Sequence, residues 1–243
     1  KREKYKIYGE LLTTYGYELQ GGEKSLTCDN YYTNEPVTIP LDETKSALEN
    51  AKRYFDRYAK QKRTYEALTV QIAETKEDIE HLESISNALD IARQESDLAD
   101  IKRELTEYGY IRKRGAKHSE KSKPMHFISS DGFDMYVGKN NYQNDELTFH
   151  LATGNDWWFH AKASAGSHVI VKTEGKELPD QTFEEAARLA AHFSKASSQD
   201  KAEVDYIQKK HIKKPNGRKP GFVVYYTNYS MTISTDITGI REV

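Results

Sequence analysis

A chain of 243 residues, 30% charged and 37% hydrophobic, is long enough for one or two domains with a real core, yet too polar to be compact throughout. Its formal net charge of −2 excludes bulk charge as the route to nucleic acid, so any such affinity has to come from local patches. A single cysteine, Cys28, excludes an internal disulfide framework, and no run approaches the roughly 20 apolar residues that span a bilayer.

Residues 1–40 open mid-helix at Lys1-Arg2-Glu3-Lys4, so a preceding portion is expected. Tyr5, Tyr8, Leu11, Leu12 and Tyr15 recur at helical spacing, and Gly16 is a natural stop. Two short strands, Leu26 to Tyr32 and Val37 to Ile39, flank an Asn34-Glu35-Pro36 turn. So short a stretch buries little, and it reads as the C-terminal remnant of a larger domain.

Residues 41–110 contain no Gly or Pro before Gly109, and Asp42 or Thr44 is expected to cap the start. Leu48, Ala51, Phe55, Tyr58, Tyr65, Ile72, Ile79, Leu82 and Leu89 are spaced by three, four and seven on a charged background, which predicts a long antiparallel helical coiled-coil arm. The register slips near Ile85, and Ser96-Asp97 resembles a new N-cap. Lys52, Arg53, Lys60, Lys62 and Arg63 read as a solvated face.

Residues 111–123 form a basic linker carrying Arg112, Lys113, Arg114, Lys117, His118, Lys121 and Lys123. Residues 124–243 read as a compact α+β domain with a mainly antiparallel sheet. Strand signals fall at His126 to Ser129, Met135 to Val137, Trp158 to Lys162, His168 to Lys172, Val204 to Ile207, Phe222 to Tyr226 and Tyr229 to Ser234. One helix is predicted from about Thr182 to Ser197, with Thr182 and Glu185 as a capping box.

Two constellations carry chemistry. The first is Asp156-Trp157-Trp158-Phe159-His160-Ala161-Lys162 followed by Ala165-Gly166-Ser167-His168. Aromatics beside Lys and His suit a surface where bases stack and cations hold phosphate, although strand alternation puts at least one aromatic pair in the core. Asp156, His160, Ser164, Ser167 and His168 also hold the ingredients of a hydrolytic triad, without a nucleophile elbow. The second is Lys209 to Gly221, a run without an acid in which Pro215-Asn216-Gly217 turns the chain and gathers cations on one loop. Asp131-Gly132 reads as a hairpin turn. Gly138-Lys139-Asn140-Asn141 lacks the glycine and Ser/Thr of a P-loop, and no spacing suits a metal, so no cofactor is expected.

These motifs together resemble the NFACT family. V-G-K-N-N (Val137 to Asn141), D-W-W-F-H-A-K-A-S-A-G-S-H-V, E-A-A-R-L-A-A-H-F-S-K-A and H-I-K-K-P-N-G-R-K-P-G-F-V are similar to its C-terminal RNA-binding domain. Upstream, Y-G-E-L-L (Tyr8 to Leu12), N-Y-Y (Asn30 to Tyr32) and A-K-R-Y-F-D-R-Y (Ala51 to Tyr58) resemble the end of its N-terminal domain and the start of its coiled-coil region. Ala165 stands where the family often has proline.

The resemblance implies a non-enzymatic cytoplasmic factor that binds the large ribosomal subunit, rRNA and tRNA, and supports C-terminal tailing of stalled chains. This portion is expected to bind without supporting tailing alone. Lys213, Lys214, Arg218 and Lys219 are expected to hold phosphate, with Trp158, His160, Lys162 and His168 lining the adjoining surface. Some family members carry fibronectin-binding names, so a matrix-binding adhesin, displayed at the surface by an unknown route, is the alternative.

Overall fold

The computed structural model describes residues 2–113 and 121–243; Arg114, Lys117 and His118 of the basic linker lie outside them. The chain divides into two compact units, Lys1–Lys76 and Glu77–Val243.

In the first unit, helix α1 (Glu3–Tyr15) buries Tyr8, Leu11 and Leu12, as its spacing predicts. They meet Leu26 and Ile39 of an antiparallel hairpin, β1 (Ser25–Asn30) and β2 (Glu35–Pro40). Helix α2 (Ala47–Ile91) adds Ala51 and Tyr54, and Tyr54 meets Tyr8 edge-on at 5.3 Å. Its cap is neither Asp42 nor Thr44. Ser46 and Glu49 bond each other's backbone N–H at 3.3 and 2.8 Å, while Asp42 ties down a preceding turn through Thr44 and Lys45.

The second unit begins inside α2, since no Gly or Pro stops that helix at the boundary. The chain reverses at Ala92–Gln94 and enters α3 (Glu95–Glu107). Gln94, not Ser96, is the N-cap, and Asp97 closes the box from the third helical position. The register slip near Ile85 has a packing cause. Ile85 and Ala88 bury against Ile101 of α3, while Asn87 donates to the Phe193 carbonyl at 3.1 Å, so two neighbours share this stretch.

Strands β3 (Met125–Ile128) and β4 (Asp134–Val137) form a hairpin that Gly132 turns at φ +84°. A short helix α4 (Asn141–Glu146) follows, then β5 (Trp157–Ala161), β6 (Val169–Val171) and α5 (Asp180–His192). Strands β7 (Lys201–Gln208), β8 (Tyr229–Ser234) and β9 (Arg241–Glu242) complete an α+β unit. The sheet order is β8-β7-β5-β6-β4-β3-β9, and every adjacent pair is antiparallel. Met135, Val137, Phe159, Val169, Val171 and Val204 bury one face against the alanine-rich side of α5. Trp158, Ile170 and Ile207 bury the other beneath Leu147, Ile212, Val223 and Tyr225.

Two expectations fail here. Phe222 to Tyr226 is not a strand; only Val224 pairs, with Lys213, closing a loop. The helix starts at Asp180 because Pro179 occupies its N-cap, and Thr182 and Glu185 form no capping box. Thr182 donates to Asp131 at 2.7 Å and Glu185 accepts the Ser130 N–H at 2.8 Å, so both steady the β3–β4 turn.

Candidate functional site

The basic segment leaves β7 through a short helical turn, Lys209–His211, and then loops back between Lys213 and Val224, whose N–H and carbonyl groups pair at 2.9 Å in both directions. Gly221 (φ +85°) donates its N–H to Asp145 at 2.9 Å, and a Cβ there would sit 2.5 Å from Asn141 Oδ1, so only glycine fits.

Within this segment the cations divide. Lys214 pairs with Asp145 of α4, Arg218 with Glu77 at 2.8 Å, and Lys219 with Asp78 and the Tyr110 hydroxyl at 2.9 Å. Lys219 is only 15% exposed and lies over the Tyr108 and Tyr110 rings at 5.7 and 5.4 Å. Burial opposes its charge, but Asp78 and Tyr110 outweigh that and raise its pKa. Lys219 therefore anchors the loop. Lys214 and Arg218 keep half of their side chains in water, and exposed pairs of that kind contribute only about 0–1 kcal/mol. Lys209, Lys210 and Lys213 make no ion pair among the described residues, and Lys210 and Lys213 are exposed. The sequence places Lys209 and Lys210 in the basic run but gives no sign that the later cations are met by Glu77, Asp78 and Asp145, which are distant along the chain.

The aromatic and histidine residues expected beside the loop are displaced from that role. Trp158 is fully buried, stacked on His160 at 5.5 Å and meeting His168 edge-on at 5.2 Å. His168 is buried too, with Nδ1 2.8 Å from Thr148 Oγ1 and its backbone N–H held by Asn144. Burial pushes His168 well below its usual pKa and lowers His160 to about 4, against a smaller opposing pull from Asp205. Both rings are thus neutral near pH 7 and supply no cation to phosphate. Lys162 pairs with Glu203 at 3.6 Å at the start of β7, whereas Lys209 leaves its far end, roughly 17 Å away at about 3.4 Å per residue.

The other expected players are structural. Burial raises the Asp156 pKa, but Lys172 at 2.5 Å and the N–H groups of Thr153 and Thr173 lower it further, leaving it below the usual carboxylate range. No Ser–His hydrogen bond joins the triad candidates among the described residues. The G-K-N-N turn is buried: Lys139 pairs with Asp97 at 2.5 Å, Asn140 caps α4, and Asn141 donates to Glu104 at 2.8 Å. Those amides hold the fold and are closed to a base edge. No group of His, Cys, Asp and Glu with metal-binding geometry occurs among the described residues.

Comparison with known proteins adds to this geometry. Residues 1–124 match the NFACT N-terminal and middle domains, and residues 123–226 match the NFACT protein RNA binding domain. The "Rqc2 homolog RqcH" of Streptococcus pneumoniae D39 is 40% identical over 236 residues, covering 96% of this chain and 42% of the relative. Its counterpart in Bacillus subtilis 168 is 39% identical over 241 residues, with the same coverage. The solved C-terminal part of the fibronectin/fibrinogen-binding protein from Streptococcus suis superposes with a TM-score of 0.71 at 34% identity, covering 97% of this chain and 84% of that one. The chain thus spans about 42% of the length of these curated relatives.

Proposed function

The chain belongs to the NFACT family, and we propose that it is the RNA-gripping part of a ribosome quality-control factor, working by binding and not by catalysis. The observation that carries the reading is the division of labour in the basic segment. Lys214, Arg218 and Lys219 fasten the loop to the rest of its unit, while Lys209, Lys210 and Lys213 make no ion pair among the described residues. A fastened backbone that presents unpaired ammonium groups loses little entropy when it meets phosphate. Half-exposed Lys214 and Arg218 can exchange their carboxylates for phosphate. The name shared by the bacterial relatives, Rqc2 homolog RqcH, supports a role in ribosome quality control. In this reading ribosomal RNA and tRNA are the partners, the work is cytoplasmic, and tailing of stalled chains requires the rest of the protein.

Anisotropy of a labelled RNA hairpin across a salt series tests the assignment. Replacing Lys209, Lys210 and Lys213 by Ala should weaken binding and flatten its salt dependence. Lys219→Ala should loosen the loop, seen as faster proteolysis, with a smaller change in salt slope. Equal slopes for the triple variant and the parent would remove the assignment.

A second reading rests on the description of the Streptococcus suis structure, which names fibronectin and fibrinogen as what that protein binds. Saturable binding of this chain to immobilised fibronectin, without measurable RNA binding, would favour that reading over the first.

A further inference from the structure

At the N-terminal end of α5, the sheet face that carries the helix opens into a cavity of about 450 Å³. This is within the range of roughly 300–1,000 Å³ that small-molecule sites occupy. Trp157 forms its aromatic wall. Unlike its buried neighbour Trp158 it is half-buried, and Phe183 meets it edge-on at 4.8 Å. Its indole N–H donates to no protein group among the described residues.

The polar groups around that ring are of three kinds. Gln208 lies directly across the β5–β7 register from Trp157, so its amide shares the indole's face, and Asn155 lines the same cavity. Neither side-chain amide bonds to the protein among the described residues. Glu177 and Asp180 bring carboxylates that pair with no cation there. Lys176 supplies an ammonium group to the lining, beside Thr173, and Lys209 and Lys210 stand just outside it. Their backbone N–H groups bond the carbonyls of Asp156 and Gly154 at 2.9 and 3.0 Å, which holds both lysines at the edge where Asn155 stands.

Each kind of group selects part of a ligand. A half-open indole suits a flat ring by stacking. A carboxylate accepts two adjacent N–H donors, the pattern that guanine shows on its pairing edge, whereas adenine presents an acceptor there and repels it. The amides suit the remaining base edge, and the ammonium groups suit a phosphate. A guanidinium or ammonium side chain would also favour aromatic and carboxylate groups, but Lys176 in the lining, with Lys209 and Lys210 beyond Asn155, repels it. The geometry points to a pocket for one unpaired guanine nucleotide, with the base on Trp157, its edge toward Asp180 or Glu177, and its phosphate leaving the cavity past Asn155 toward Lys209 and Lys210. This deepens the RNA-binding reading and rests on it, by giving the bound RNA one base that the protein reads.

The chain has two tryptophans, and the other is closed to solvent, so ligand-induced quenching of intrinsic fluorescence reports on Trp157. Titration with GMP should quench emission saturably and at least about tenfold more tightly than AMP. Trp157→Phe removes the reporter, so its expected loss of GMP affinity is read by calorimetry. The pair Glu177→Gln and Asp180→Asn should erase the preference for guanine, and Lys209→Ala with Lys210→Ala should remove the advantage of GMP over guanosine. Should Trp157→Phe unfold the chain, Gln208→Ala serves instead, with weaker GMP binding expected. No saturable quenching by GMP, equal responses to GMP and AMP, or saturation by an arginine-rich peptide in place of GMP would each overturn the proposal.

A guanine-free RNA separates the two readings. If it binds with a salt slope that depends on Lys213 while GMP fails, only the pocket is refuted. If GMP binds and no RNA does, the pocket stands and the RNA-binding reading falls. If neither binds, both fall.

Discussion

Lys139→Met tests whether α3 and the sheet are held together by a buried ion pair. Lys139 is 7% exposed and Asp97 is 1% exposed, with Nζ 2.5 Å from Oδ1. Asp97 also accepts from the Ser122 hydroxyl and from the N–H groups of Arg93 and Gln94 at 2.9 and 3.1 Å. Removing one partner of such a pair costs about 3–5 kcal/mol, because a charge stays buried without its counterion. Three remaining donors put the expectation at the lower end, about 3 kcal/mol.

The pH dependence of that loss follows from the same contacts. In the parent, burial raises the Asp97 pKa, but Lys139, Ser122 and the Arg93 N–H lower it to a net value below the ordinary range. A depressed carboxylate contributes stability above its unfolded pKa, about 3.9, and that contribution is lost as pH falls through the folded value. In Lys139→Met burial acts with its strongest opponent gone, so Asp97 protonates more readily and the variant recovers as pH drops. Urea unfolding at about pH 7 and about pH 4.5 should therefore show a large deficit that narrows at the lower pH. The double variant Lys139→Met with Asp97→Asn, which removes the buried charge and keeps an acceptor for the α3 cap, should regain part of the loss. A deficit under about 1 kcal/mol, or one of equal size at both pH values, would mean that no buried ion pair holds α3 to the sheet.

Two further outcomes follow from the loop and the histidines. Gly221→Ala forces a side chain into φ +85° and against Asn141, so a loss of about 1–3 kcal/mol and faster tryptic cleavage between Lys213 and Lys219 are expected; an unchanged melt and digest would show the loop free to move. With His160 at about 4 and His168 also depressed, both rings gain protons more easily unfolded than folded. Stability should thus be full above the unfolded value of about 6.5 and fall toward pH 4, by up to about 1.4 kcal/mol per pH unit for each proton taken up. RNA affinity between about pH 6.5 and 8 should show no titration from these two residues, which nuclear magnetic resonance of the imidazoles checks directly.

What the sequence reveals depends on the range of the interaction behind each feature. Helix α1, the β3–β4 hairpin and strand Tyr229–Ser234 follow from local spacing and turn chemistry, and the motifs carry the family. Phe222 to Tyr226 has strand composition but becomes loop, because Val223 and Tyr225 cover Trp158 while only Val224 finds a partner. Thr182 and Glu185 have capping-box spacing, yet Pro179 sets the helix start and frees both for a turn 50 residues away in sequence or more. The same limit governs the site. Composition locates the basic run, but which of its cations are paired is decided by Glu77, Asp78 and Asp145. Trp158, His160 and His168 look like a surface in one dimension; the sheet buries both of its faces, leaving only Trp157 of the tryptophans partly open.

The most direct test of the central claim is binding of the chain to purified large ribosomal subunits across a salt series, beside a variant with Lys209, Lys210 and Lys213 changed to Ala. Parent binding should weaken steeply with salt, and the variant's log–log slope should be shallower by about 2, from three phosphate contacts at about 0.7 each. Parent binding that is indifferent to salt, or a variant with an unaltered slope, would contradict that claim.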